Sequence, residues 1–280
     1  MKPTFIGIGA QKCASSWLYE ILRDHPDVCL SPEKEVNFFS YNFDRGYQWY
    51  ERHFPQQCDG KKAVGEVSPS YFHNPSVPVY ARDYNPDFKI IALLRHPVER
   101  AISNHKHDIR TGNFQGDDLS FEAGLRNNPS YIDQGLYATH LKRWLAFFPK
   151  EQVKVVIVDD IIENPQKVVE DVYGFLSVDT GHVPEALHKR ANVSYVVRWR
   201  WLSNIVNRLG NTLRHGPLNG LWWLASRLGF RKIYHAINAK PVESAHVELT
   251  SEEKRNLENV FSDQIDELEK LLARDLSSWK

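Results

Sequence analysis

At 280 residues the chain is long enough for one large α/β domain with a full hydrophobic core. Its 35 lysines and arginines balance 35 aspartates and glutamates, so no global field favours nucleic acid and any basic surface is local. Three cysteines, Cys13, Cys29 and Cys58, show neither metal spacing nor an even-numbered disulfide framework, and no window reaches the roughly 18 consecutive apolar residues of a membrane span.

The N-terminal MKPTFIGIGA carries no apolar run of signal-peptide type, and with three unpaired thiols the expectation is a reducing, cytoplasmic location. Phe5, Ile6, Gly7 and Ile8 predict a buried strand, Gly9 to Ser16 a tight loop, and Trp17, Leu18, Ile21 and Leu22 a helix. Such a junction collects unpaired backbone N–H groups and the positive end of a helix dipole. Lys12, Ser15 and Ser16 add a cation and two hydroxyls, so the loop suits a phosphate. Its lysine precedes the serines, whereas a nucleotide-triphosphate loop ends in Gly-Lys-Ser/Thr, and that order argues against an ordinary ATPase. A plain turn with an exposed lysine is the bland alternative.

Val28 to Leu30 predict a second strand, and SPEKEVNFF follows it. Lys34 and Glu35 there precede Phe38 and Phe39 just past a strand end, where α/β folds place ligands, although either charge also reads as simply solvated. Residues 43–55 predict an irregular aromatic helix, Ala63 to Glu66 a strand, and VSPSYF a turn with buried aromatics. Lys89 to Leu94 predict a buried strand that Arg95 ends. Pro97 suits the first turn of the next helix and Ser103 lies two turns along it, so Arg95 and Ser103 can face one anion. His105 and His107, two residues apart, project from different sides and predict no metal site.

Residues 111–134 predict an exposed excursion around SFEAGLRN, 137–148 a helix with one packed face, VKVVIVDD a buried strand, and Asn164-Pro165 a capped helix start. This alternation predicts an α/β fold: a P-loop-like, doubly wound parallel sheet flanked by helices, with a helical C-terminal cap. One domain is expected over 1–280, with a core at 1–180 and a helical cap and closing helix at 181–280. From 191 to 242 there are eight Arg or Lys residues and no Asp or Glu, interleaved with Trp199, Trp201, Trp222 and Trp223. That stretch reads as a helical cap with solvated arginines or as an acceptor-binding or membrane-surface element. Thr250 and Glu253 predict a capping box, and Leu257, Val260, Phe261, Ile265, Leu268, Leu271 and Leu272 a core-facing stripe.

With GAQKCASSW, KEVNFF and LLRHPVERAISNHKH in hand, the sequence resembles the carbohydrate-type sulfotransferases that use 3′-phosphoadenosine 5′-phosphosulfate (PAPS). It is most similar to the domains that modify heparan sulfate and to their bacterial relatives, from about Thr4 to about Leu176 and again in the closing helix. The resemblance implies that Gln11, Lys12, Cys13, Ala14, Ser15, Ser16 and Trp17 bind the 5′-phosphosulfate, with Lys12 on its bridging and terminal oxygens. It also implies that Arg95 and Ser103 hold the 3′-phosphate, and that Glu35 is the general base. Lys34, Glu66 and His107 would line the acceptor side, His107 matching a histidine of the N-sulfotransferase branch. Transfer to a hydroxyl or amine of a saccharide, glycolipid or other small acceptor is then expected, without a metal, leaving 3′,5′-adenosine bisphosphate.

Two departures bear on the acceptor. Relatives acting on heparan sulfate have a lysine where this chain has Val67. Their Lys-Lys/Thr-Lys-Gly-Phe cover is met only by HKRANVSY, which leaves Lys189 and Arg190 as its candidates. An acceptor other than heparan sulfate is expected, with peripheral membrane contact through 191–242 left open. The alternatives are a nucleotide kinase, with Asp159 or Asp160 as its metal-holding carboxylate, and a non-enzymatic membrane-surface or glycan-binding protein.

Overall fold

The computed structural model describes residues 1–114, 119–187, 195–197, 239–241 and 249–280. Strand β1 (Phe5–Gly9) is buried along its whole length and forms the centre of a five-stranded sheet. The sheet also contains β2 (Val28–Leu30), β3 (Ala63–Val67), β4 (Lys89–Leu94) and β5 (Val153–Ile157) in the order β2-β3-β1-β4-β5, every pairing parallel. Successive strands first run to one side of β1 and then to the other. This reversal makes the sheet doubly wound and opens a crevice at the carboxyl ends of β1 and its neighbours. Gly9 allows the crowding there: its φ is +112°, and a Cβ would lie 2.5 Å from the Pro69 carbonyl oxygen.

The apolar runs fold as their periodicity predicts. Helix α1 (Ser15–Asp24) buries Trp17, Leu18, Ile21 and Leu22. The short helices α2 (Phe38–Tyr41) and α3 (Tyr47–Glu51) carry Phe38 and Tyr50, whose rings stack 4.5 Å apart, and α4 (Val77–Tyr84) adds Tyr84 beside Tyr50. Helix α5 (Pro97–Thr111) begins with proline in its first turn.

Several expectations need correction. Residues 119–134 are no free excursion: α6 (Phe121–Asn127), capped by Ser120, and α7 (Ser130–Asp133) bury Phe121 and Tyr131 around His105 of α5. A segment this short shows too little periodicity for its packed side to be read. The VKVVIVDD strand ends at Ile157, because α9 (Val158–Glu163), which follows α8 (Tyr137–Leu145), takes Asp159 and Asp160 into its first turn. Carboxylates favour that end of a helix dipole. Both also have partners, Asp159 accepting from Trp279 Nε1 at 2.7 Å and Asp160 holding Arg274 at 2.5 and 2.6 Å. The carboxylates invoked for a kinase thus anchor the C-terminal tail. Cys29 and Cys58 form a disulfide that ties β2 to the turn at Gln56–Cys58, so the case for a reducing compartment from unpaired thiols loses its basis.

Asn164 caps α10 (Pro165–Leu176) through the Lys167 N–H, and the C-terminal α11 (Ser251–Leu272) starts with the Thr250–Glu253 capping box. Leu257, Phe261, Ile265 and Leu268 are buried against α8 and α5, whereas Val260 of the expected stripe faces solvent. Most of 191–242 lies outside the described residues. Its ends form a short antiparallel pair, β6 (Tyr195–Val197) with β7 (Ala239–Pro241), not a helix. Among the described residues no helix is long and apolar enough to cross a membrane.

Candidate active site

The loop after β1 has the features of an anion cradle. Helix α1 starts without a side-chain cap and without an acidic residue in its first turn, and the amides of residues 11–16 donate to no described residue. Lys12 and Ala14 adopt left-handed backbone, φ 69° and 61°. Lys12 is drawn partly out of water beside Arg110, which lowers its pKa to about 8 against the pull of Asp108 and Glu35. An anion arriving in the loop would raise that pKa again and hold the charged form. Two residues expected here serve the core instead. Trp17 gives its N–H to the Ala14 carbonyl and its indole to Leu187, and Cys13 is buried with Sγ 3.6 Å from the Tyr137 hydroxyl, so only the Cys13 backbone faces the cradle.

Tyr137 donates in turn to the Arg95 carbonyl at 2.9 Å, tying the loop to the end of β4. Arg95 itself holds Glu99 at 2.9 and 2.6 Å, and the Ser103 hydroxyl has no hydrogen-bond partner among the described residues. An exposed pair of this kind is worth only about 0.2–1 kcal/mol, so Arg95 is readily released to a stronger anion.

Glu35 sits in the loop after β2, its N–H bonded to Val67 and its carboxylate 2.7 Å from Lys34. Its backbone and that of Asn37 are left-handed, φ 65° and 53°. Among the described residues, four of the six non-glycine positions with positive φ fall in these two loops, a strain that neighbours must sustain. Ser68 Oγ and Ser70 Oγ bond the Asn37 amide and side chain, and Asn37 returns a bond to the Glu35 carbonyl.

Glu66 departs from expectation. It is fully buried and reaches no acceptor; its oxygens accept from Ser68 Oγ at 2.5 Å and Tyr71 at 2.6 Å, while Tyr50 lies beside it without a well-formed hydrogen bond. The same two hydroxyls accept the N–H groups of Asn37 and Phe39. Glu66 therefore anchors the backbone that carries Glu35, and burial pushes its pKa up.

From α5, His107 completes the group. Ser103, His107 and Arg110 recur at four and three residues, one helix face, so the cluster's extra cation was legible in the spacing. Arg110 donates to His107 Nδ1 at 2.8 Å. Burial, Lys12 and Arg110 lower the His107 pKa to about 4, against Asp108 and Glu35. Asp108 is held by Asn128 and Tyr131 at 3.0 Å each. His105 instead points into the core, on Tyr131 and the Leu119 carbonyl.

A sulfotransferase domain model matches residues 2–197. The chain belongs to the sulfotransferase domain family. Human heparan sulfate glucosamine 3-O-sulfotransferase 3B1 is 36% identical over 186 residues, 63% of this chain and 46% of that protein. The Drosophila melanogaster bifunctional heparan sulfate N-deacetylase/N-sulfotransferase is 29% identical over 205 residues, 63% of this chain and 20% of that protein. The chain thus spans less than half the length of either relative. A sulfotransferase from Alicyclobacillus acidocaldarius superposes with a TM-score of 0.72 at 27% identity, covering 100% of this chain and 99% of the other. A mouse sulfotransferase complexed with PAP shares the fold, with a TM-score of 0.54 at 12% identity and coverages of 94% and 84%.

Lys12 has Lys34 and Glu35 as electrostatic neighbours, and His107 has Lys12 and Glu35; Arg95 follows the end of β4, and Ser103 lies on α5. Lys189 and Arg190 lie outside the described residues. Of the neighbours the fold brings to Lys12, Glu35, Arg95 and His107, Asp108, Tyr137 and the Asn37–Ser68 contact carry no local signal in the sequence, and only Arg110 does, by its spacing from His107.

Proposed function

We propose that the chain transfers the sulfuryl group of PAPS to a hydroxyl or amine of a saccharide acceptor. The observation that carries this is the meeting of Lys12, Glu35 and His107, from three segments, beside an anion cradle of unpaired amides. The residues fit the nucleotide: the 11–16 amides, Lys12, Ser15 and Ser16 would hold its 5′ end, and Arg95 with Ser103 its 3′-phosphate. PAPS supplies a sulfuryl group on a phosphate leaving group. Lys12 and the loop amides would stabilise charge growing on the bridging oxygen, and Glu35 would take the acceptor proton. Orientation of the acceptor in line with the sulfur contributes the rest.

The saccharide acceptor rests on the heparan sulfate relatives. Val67, in place of a lysine, favours a shorter or less anionic saccharide than heparan sulfate itself. The test has two parts. Calorimetric melting with 3′,5′-adenosine bisphosphate and with AMP is expected to favour the former, because a charge-assisted 3′-phosphate contact is worth roughly 1.5–3 kcal/mol. Equal shifts would remove Arg95 and Ser103 from the site. Radiolabelled PAPS with an acceptor panel, with and without EDTA, is then expected to label a saccharide in both conditions; label transfer that EDTA abolishes would overturn the metal-free reading.

A further inference from the structure

An arginine N–H can only donate, so the 2.8 Å contact from Arg110 Nη2 leaves His107 Nδ1 as a lone-pair acceptor. A neutral ring then carries its proton on Nε2, which has no partner among the described residues. The groups facing this imidazole are Lys12 from the loop after β1, Glu35 from the loop after β2, and Arg110 and Asp108 from its own helix. We propose that Arg110 is a positioning residue that locks His107 as the Nε2–H tautomer, so that His107 serves as a hydrogen-bond donor and Glu35 is left as the proton acceptor. This rests on the sulfuryl-transfer reading.

The acceptor O–H or N–H bond breaks and its proton passes to Glu35, while the acceptor lone pair bonds to sulfur. The bond from sulfur to the bridging oxygen breaks, its electron pair leaving on the phosphate. The imidazole neither gains nor loses a proton and lends its Nε2–H to an oxygen of the reacting groups. Two histidine roles separate here: a base needs a free lone pair facing the acceptor, and in this site that lone pair is spent on Arg110.

The test is spectroscopic first. Imidazole nitrogen–proton correlation spectra of the full chain, with the His107 signals assigned by their loss in His107→Gln, are expected to show an Nε2–H ring that stays neutral as pH falls through 6.5, the ordinary histidine value. In Arg110→Leu the ring is expected to take a proton at higher pH, and Arg110→Lys, which still donates, to return it towards the wild type. Activity gives a second reading. His107→Ala should lose about 10²-fold in kcat with the donor gone, and His107→Gln, whose amide N–H replaces Nε2–H, should recover most of it. An Nδ1–H ring in the wild type, an unchanged titration in Arg110→Leu, or equal losses in His107→Gln and His107→Ala would each overturn the proposal. A wild type that transfers no sulfuryl group overturns the functional reading instead, while the tautomer still decides whether Arg110 positions His107.

Discussion

Glu35 and Glu66 belong to neighbouring strand ends and meet opposite conditions. Glu35 follows β2 on a strained, left-handed loop, half in solvent and paired with Lys34; Glu66 lies next to the last residue of β3 in the core, sealed by Ser68 and Tyr71. Two hydroxyls join them, since Ser68 and Tyr71 donate to Glu66 and accept the N–H groups of Asn37 and Phe39, just after Glu35. The open carboxylate can change partners, because its ion pair with Lys34 is exposed. The sealed one gains hydrogen bonds but loses access, which suits it to holding a backbone in place rather than to chemistry.

Substitutions can break this contrast. The largest expected effect is Glu35→Gln, which should lower kcat by about 10²–10⁴ while leaving the melting temperature and 3′,5′-adenosine bisphosphate affinity unchanged. A lost nucleotide affinity would make Glu35 structural after all. Next comes the Cys29–Cys58 tether, which closes the stretch holding Glu35. Reduction or Cys58→Ser should cost about 2–4 kcal/mol in denaturant unfolding, and an unchanged midpoint would show that the aromatic packing suffices alone.

Glu66→Gln should reduce stability by about 1–3 kcal/mol, since one hydroxyl loses a charged acceptor, with kcat falling only as far as the Glu35 loop shifts. A wild-type unfolding curve beside a Glu35→Gln-sized loss of kcat would mean that Glu66 acts in the chemistry. The smallest effect is a difference in pH slope. With its folded pKa raised, Glu66 makes stability fall as pH climbs above the ordinary glutamate value of 4.5, because the unfolded chain releases its proton first. His107 has the opposite sign: its folded pKa is about 4 against 6.5, so its contribution is present above 6.5 and is lost as pH falls from 6.5 towards 4. Urea unfolding against pH should lose the first slope in Glu66→Gln and the second in His107→Gln; a slope that survives its own substitution assigns it elsewhere.

By itself the sequence determined the strand Lys89–Leu94, the first strand from Phe5 to Ile8, the loop-to-helix junction at Lys12, and the capped starts of α10 and α11, because each is written in residues within a few turns of one another. It also placed Glu35, Arg95 and His107 at strand ends or on the following helix, where a doubly wound sheet opens. Tertiary structure alone decided which charges meet. Lys12, Glu35 and His107 lie in segments that touch only when β1 is set between β3 and β4, and Cys29 pairs with Cys58, 29 residues on, only when β2 docks at the sheet edge. It also decided the fate of Glu66: no local pattern marks a glutamate as buried, since burial depends on Tyr71 and Ser68 folding back over it to satisfy the charge that water would otherwise hold.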